Sequence, residues 1–331
     1  MKKLAIILSI TAVISLTAFL ISVAVLGTNN SDLSGSHMIY FSDGETVIKD
    51  EYEEGKVYSM EYSGDISSLS LDVTSADFTV TCSQTDKATV KYTAHDRTSF
   101  SSVYENGKLS LKQEKKVTLG FDLGGSRSSV IEITLPEKTY DEAVLNMMSG
   151  DGRIKGLTAK SFISSAMSGN CDYEIYAENI TISSMSGEAK LSNCTDMTAK
   201  KIIISSMSGN RDISFIADEW DIESSSGDIR VSGIGGNVNA NTSSGALTLD
   251  YTEWNGDLYI ESMSGDIDIT LPAGSSAELD YDTMSGDLKT DIGGQKGKYS
   301  GDVQETLGSG SNLHNADINT SSGDLEITIR Q

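Results

Sequence analysis

The chain's 331 residues suffice for one large domain or two ordinary ones with a buried core, and 31 glycines, 2 prolines and abundant Ser, Thr, Asp, Ile and Val suit short strands joined by tight turns. Lys and Arg number 25 against 48 Asp and Glu. The resulting net charge of −23 excludes a nucleic-acid partner, which needs clustered basic side chains, and excludes adsorption to anionic lipid or wall polymer without bridging cations.

Lys2 and Lys3 precede "LAIILSITAVISLTAFLISVAVLG", 24 uncharged residues. As a helix this run would be about 36 Å long, enough to cross a hydrocarbon core of about 30 Å. A cleaved signal has a shorter apolar region and a small-x-small exit, for which "AVLG" is a poor match. The expectation is therefore an uncleaved single-pass anchor over 1–27, with everything from residue 28 outside the cytoplasm by the positive-inside rule. Residues 28–56 are polar, acidic and without periodicity, and read as a tether.

Residues 57–331 are expected to form one all-β domain. Its regular part, 137–331, repeats a Ser-Gly pair, with glycines at Gly150, Gly169, Gly187, Gly209, Gly227, Gly245, Gly265, Gly286 and Gly323. Successive spacings are 19, 18, 22, 18, 18, 20, 21 and 37 residues, the last near two periods. Periods of this size predict a parallel β-solenoid (β-helix) of 18–22-residue coils. Seven residues before the glycine stand Ile180, Ile202, Trp220, Val238, Leu258 and Leu279, and five before it Ile182, Ile204, Ile222, Ala240, Ile260 and Tyr281. Two after it come Ile229, Leu247, Ile267, Leu288 and Leu325; four after it Ile154, Leu191, Ile213, Val231, Leu249, Ile269 and Ile327. Each copy thus reads as two strands with one buried face, and Ile182, Ile204 and Ile222 should form one ladder. Alternation must break at the corner, where glycine tolerates positive φ and close backbone approach.

Other columns carry further expectations. Met148, Met167, Met185, Met207, Met263 and Met284 stand two before the glycine. A thioether ladder can suggest copper, but its parity with the inward positions after the turn favours flexible core filler. Three after the glycine the signs nearly alternate, through Arg153, Asp172, Lys190, Asp212, Arg230, Thr248, Asp268, Lys289 and Glu326, as a register-fixing ladder would. Cys171 falls on an inward position, and with Cys82 and Cys194 it is too little for a disulfide scaffold.

Immediately after the glycine stand Asp151, Asn170, Glu188, Asn210, Asp228, Ala246, Asp266, Asp287 and Asp324. In-register carboxylates about 4.8 Å apart repel. Two explanations compete: turn hydrogen bonds from backbone N–H groups, or calcium held between neighbouring carboxylates, with Asp228, Asp266 and Asp287 as candidates. Asp266 and Asp287 are expected on adjacent coils. Apart from such a cation no cofactor is implied.

Residues 57–136 read as less regular coils. "LSLDVTSADFTV" (69–80) fits the template with Ala76 in the glycine place, and "ENGKLSL" (105–111) is a looser match. "ITLP" at 133–136 and again at 269–272 marks two related blocks.

With its N-terminal apolar run and repeated "SGD" strands ending in "SSGDLEITI", the chain resembles the bacterial putative-adhesin family of domains of unknown function, over roughly residues 57–331. The resemblance implies an extracytoplasmic β-solenoid of the bacterial cell envelope, associated with surface attachment or envelope-stress systems, and supplies no catalytic residues. A non-catalytic binding or scaffold module with an envelope protein or glycan as partner is the first expectation. The alternative is a carbohydrate-active β-helix enzyme, a polysaccharide lyase or hydrolase, which would need a carboxylate and basic cluster interrupting the repeat. His37, His95 and His314 are scattered, "GIGG" (233–236) lacks a phosphate loop's strand-to-helix setting, and the irregular segment 291–316 reads as a surface excursion.

Overall fold

A computed structural model describes residues 47–49, 55–93, 98–115 and 129–331. The anchor expected over 1–27, nearly all of the tether, His37 and His95 lie outside them. Among the described residues every regular element is a β-strand, and there is no helix long and apolar enough to cross a membrane. They divide into two compact units, one ending at Ala177 and one covering Glu178–Gln331.

Within Glu178–Gln331 each repeat supplies one strand before its Ser-Gly corner and one after it. As far as Leu271, each strand pairs in parallel with the equivalent strand of the next repeat. Ile182 lies opposite Ile204, and Ile204 opposite Ile222. All three are buried, each worth about 1.5–3 kcal/mol in apolar burial. After the corner, Leu191, Ile213, Val231, Leu249 and Ile269 meet one after another in the same way. β-Branched residues dominate these ladders because their stiff side chains suit a pleated surface packed on one face.

The order of repeats departs from the sequence at the C-terminal end. Asn312–Thr320 pairs in parallel with Leu258–Ser262 on one side and with Ser275–Thr283 on the other. Leu325–Ile329 likewise lies between Ile267–Leu271 and Asp287–Ile292. The last coil of the chain is thus inserted between two coils that precede it. Consequently the expected sign alternation holds from Lys190 through Asp212 to Arg230. It fails where Asp268 meets Glu326, and resumes at Lys289.

Segment 291–316 is not a surface excursion. Gln295–Ser300 runs antiparallel to Asp287–Ile292, and Val303–Gly308 antiparallel to Ser276–Tyr281. Ser300, Gly301 and Asp302 form a further corner between them, with φ of 84° at Gly301, and Asp302 Oδ1 accepts the Thr283 N–H at 2.9 Å. This reversed pair covers the outermost parallel coil. Its lysines, Lys296 and Lys298, sit where a bare edge would invite further pairing.

The unit ending at Ala177 is built around Ser68–Ser83. Its first half pairs in parallel with Lys108–Gln113 and with Glu142–Met147, its second half with Ser129–Pro136 and with Gly152–Lys155. Leu69, Leu71, Phe78 and Val80 point inward. "ENGKLSL" holds a hairpin rather than a repeat corner: Asn106 and Gly107 both have positive φ and join Thr98–Glu105 to its antiparallel partner Lys108–Lys115. Asn-Gly is the dipeptide favoured by a two-residue turn of this hand. Val57–Tyr62 and Ala88–Thr93 extend the antiparallel region.

Candidate functional site

The feature repeated most often is the Ser-Gly corner. Eight of its nine glycines have φ between 95° and 124°, Gly286 being the exception. Eight of the nine also press on a neighbouring backbone. A Cβ on Gly209 would lie 2.1 Å from the Gly187 carbonyl oxygen, one on Gly227 2.4 Å from that of Gly209, and one on Gly245 2.3 Å from that of Gly227. Gly265 stacks on Gly245, Gly323 on Gly265, and Gly286 on Gly323. In the other unit Gly169 stacks on Gly150, and Gly150 on Ala76.

Strand alternation continues inward one step beyond the isoleucines, to the residue three before the glycine. Ser206, Ser224, Thr242, Ser262 and Thr320 are buried there, and Thr242 Oγ1 donates to Ser262 Oγ at 3.0 Å. The methionines therefore fall just outside the core, contrary to the expectation of core filler. Met148, Met167, Met185, Met207 and Met263 are half-buried, and Met284 is 86% exposed. The break in alternation comes after the methionine, so its parity with the later inward positions is misleading.

Arg211 occupies the inward place two after Gly209, between Ala189 and Ile229, and is 2% exposed. Its Nη1 donates to the carbonyls of Gly187 (2.6 Å) and Asn210 (2.7 Å), and its Nη2 to Ser206 Oγ (2.9 Å) and to Ser184 Oγ. The sequence signal existed: an arginine in a column of Ile and Leu, beside an alanine that leaves it room.

The column after the glycine is a relay of side-chain caps. Asn210 Oδ1 accepts the Asp228 N–H at 3.0 Å, and Asp228 Oδ1 accepts the Ala246 N–H at 3.0 Å. Asp266 Oδ1 accepts the Asp324 N–H at 2.9 Å, and Asp324 Oδ1 the Asp287 N–H at 3.1 Å. In the other unit Asp77 caps Asp151, and Asp151 caps Asn170. Of the three cation candidates, Asp228 lies between Asn210 and Ala246. Asp266 and Asp287 are not on adjacent coils, because the closing coil places Asp324 between them. Lysines offset the crowding at this end. Lys298 and Ser300 hold the Asp287 carboxyl below the ordinary range, and Lys289, with the Asp287 N–H, does so for Asp324. Among the described residues no group of three or more His, Cys, Asp or Glu side chains gathers as a metal site requires.

His314 packs edge-on against Trp254, its Nδ1 3.8 Å from Asp257 Oδ1. Cys82 and Cys171 are buried and Cys194 is half-buried. The outward face of the strands before the corner carries polar rows in register. One runs Asp221, Asn239, Tyr259, Asp317 and Asp280, and the next Glu223, Asn241, Glu261, Asn319 and Asp282. Asn239 donates to Asp221, Asn319 to Asp317, and the Tyr259 hydroxyl to Glu261.

A family model described as Toastrack DUF4097 matches residues 66–328. No curated protein matches the chain. Similar solved structures include a putative adhesin from Bacteroides fragilis NCTC 9343, 14% identical with TM-score 0.40 over 82% of this chain and 97% of that one. A putative adhesin from Parabacteroides distasonis ATCC 8503 is 12% identical with TM-score 0.34, covering 82% and 97%. A putative cell adhesion protein from Clostridium sporogenes ATCC 15579 is 11% identical with TM-score 0.21, covering 83% and 100%.

Proposed function

The chain belongs to the Toastrack DUF4097 family, and from that premise we propose that it is a non-catalytic, adhesin-like binding and scaffold module of the bacterial cell envelope. In this reading its stacked repeats are a parallel β-solenoid, the apolar run at 4–27 holds it to the membrane, and the repeats lie outside the cytoplasm, in an envelope-stress system.

The observation that supports a binding role is the outward polar lattice. Rows such as Asp221, Asn239, Tyr259, Asp317 and Asp280 recur at coil spacing on one face. A row of near-equivalent groups suits an extended, repetitive partner, whereas catalysis needs one unique constellation. The partner class is an envelope protein or glycan.

The test pairs binding with turnover. The detergent-solubilised full chain is incubated with isolated envelope polysaccharide and with envelope protein, and both retention and new reducing or unsaturated sugar ends are measured. Saturable retention without new ends is expected, and loss of retention when Asn239, Tyr259 and Asn319 become Ala. New chain ends would make the protein a carbohydrate-active enzyme instead. Protease added to intact protoplasts should remove the repeats; protection of the repeats would overturn the topology.

A further inference from the structure

The closing coil is held on both of its edges by strands that come earlier in the chain. Ala316, Ile318 and Thr320 lie opposite Leu258, Ile260 and Ser262 on one side and Leu279, Tyr281 and Thr283 on the other. Leu325 and Ile327 fill the second column between Ile267 and Ile269 and Leu288 and Thr290. The same contacts that link any two coils recur at both of its faces. The Asp324 N–H caps onto Asp266, Asp324 caps Asp287 and pairs with Lys289, and Thr320 Oγ1 donates to Thr283 Oγ1. Both parallel edges that flank it, and the apolar columns it continues, belong to earlier coils.

What connects this coil to the rest is short and built of small residues. Gly308 has φ of 81°, and Ser309, Gly310 and Ser311 follow before Asn312. Gly310 lies against the Gly274 carbonyl, where a Cβ would be 1.6 Å from the oxygen. A hinge of small residues beside an element that completes another surface is the arrangement from which identical chains exchange that element, because the exchanged contacts equal those made within one chain. Unpaired parallel edges would recruit a strand from any source that matches them.

We propose that the slot between coils 258–271 and 275–292 is a docking site for the closing coil of a second copy of this chain, so that two copies join by exchanging residues 312–329. Three linker residues, Ser309–Ser311, span at most about 10 Å, so the corners of the two copies that carry residues 272–274 and 309–311 must abut. Exchange takes place while the slot is open, during folding at high local concentration, and it is independent of what the outward faces bind.

The register supplies the reporter. Asp268 and Glu326 are exposed and directly opposite on neighbouring parallel strands, within the Cα spacing a disulfide tolerates. Full-length D268C and E326C chains are unfolded together, refolded under oxidising conditions over a range of concentrations, and mapped for the 268–326 cross-linked peptide. The exchange predicts a mixed disulfide dimer whose share rises with concentration, while D212C mixed with E326C gives none. The chain carrying both D268C and E326C should form the bond internally at high dilution. If it does so and the mixed chains never link, the proposal is overturned. Should these variants fail to fold, T270C with T328C repeats the test at the next pair in register. The mass of the unmodified full chain refolded at high concentration gives a reading free of cysteine changes: a monomer at every concentration also overturns exchange.

Discussion

Asp324 donates its backbone N–H to Asp266 Oδ1 at 2.9 Å across 58 residues of chain. That bond marks the point where spatial order leaves sequence order, and it shows how the acidic column is accommodated. One oxygen of Asp228, Asp266 and Asp324 is occupied by the N–H of the next coil, and at the crowded end Lys289 and Lys298 meet the charge of Asp324 and Asp287.

If the cap is what matters, the charge of Asp266 is dispensable and its oxygen is not. Asp266→Asn should leave stability within a few tenths of a kcal/mol, since Asn210 makes the same bond to Asp228 at 3.0 Å. Asp266→Ala should cost about 1 kcal/mol, the net worth of one hydrogen bond. Urea unfolding of the two variants checks this. Calcium at millimolar level should leave Tm unchanged; a rise that Asp266→Asn abolishes would restore the cation reading.

The corner glycines should tolerate no side chain. Gly209→Ala combines φ of 96° with a Cβ 2.1 Å from the Gly187 carbonyl oxygen, and roughly 3 kcal/mol or more is expected from strain and clash together. Gly274→Ala, at φ of 76° with nothing within 4 Å, should show strain alone, about 1–2 kcal/mol. Equal losses at the two sites would mean that close approach is not what selects glycine.

Much of this was legible because it is local. The inward ladders follow from two-residue alternation, and the corner from one glycine per period. Coil order was not legible, for a physical reason: Ile318 fits beside Ile260 as well as Tyr281 would, so identical columns do not encode which coil lies next. The hint was the 37-residue spacing between Gly286 and Gly323, within which Gly301 makes a corner of the reversed pair. The methionines were misplaced because parity alone does not say on which side of the corner alternation breaks. Arg211 shows another limit: its inward column marks it as buried, but the carbonyls and hydroxyls that accept from it come from other coils and are visible only in the fold.

Inserting the closing coil puts Glu326 beside Asp268, and a pH dependence follows. Burial, then the charges of Glu326 and Asp266, raise the Asp268 pKa above its ordinary 3.8, against Lys289 and Arg230. A carboxyl whose pKa is raised by folding binds its proton more tightly in the native state. The penalty is therefore complete above the raised pKa and vanishes as pH falls towards the ordinary value. Asp268→Asn should stabilise the protein at neutral pH by about 0.2–1 kcal/mol, the scale of facing like charges. The advantage should shrink on acidification; an advantage constant from neutral pH to below 4 would place its origin elsewhere.

Arg211 provides the sharpest test of the corner's interior. Its guanidinium reaches two carbonyls with one nitrogen and two serine hydroxyls with the other, a fork that a single ammonium does not reproduce. Arg211→Lys should lose roughly 2 kcal/mol, the cost of leaving one or two buried acceptors unmet. Arg211→Leu removes the charge as well, and lines the column up with Ile229 and Leu247. Replacing a buried charge by an apolar side chain of similar volume is often close to neutral, but here Ser184 and Ser206 would keep hydroxyls without their donor. The leucine variant is therefore expected to be as unstable as the lysine one, and Arg211→Leu with Ser184→Ala and Ser206→Ala should recover most of the loss in thermal unfolding. If the triple variant is no more stable than Arg211→Leu alone, the hydroxyls are not what Arg211 serves.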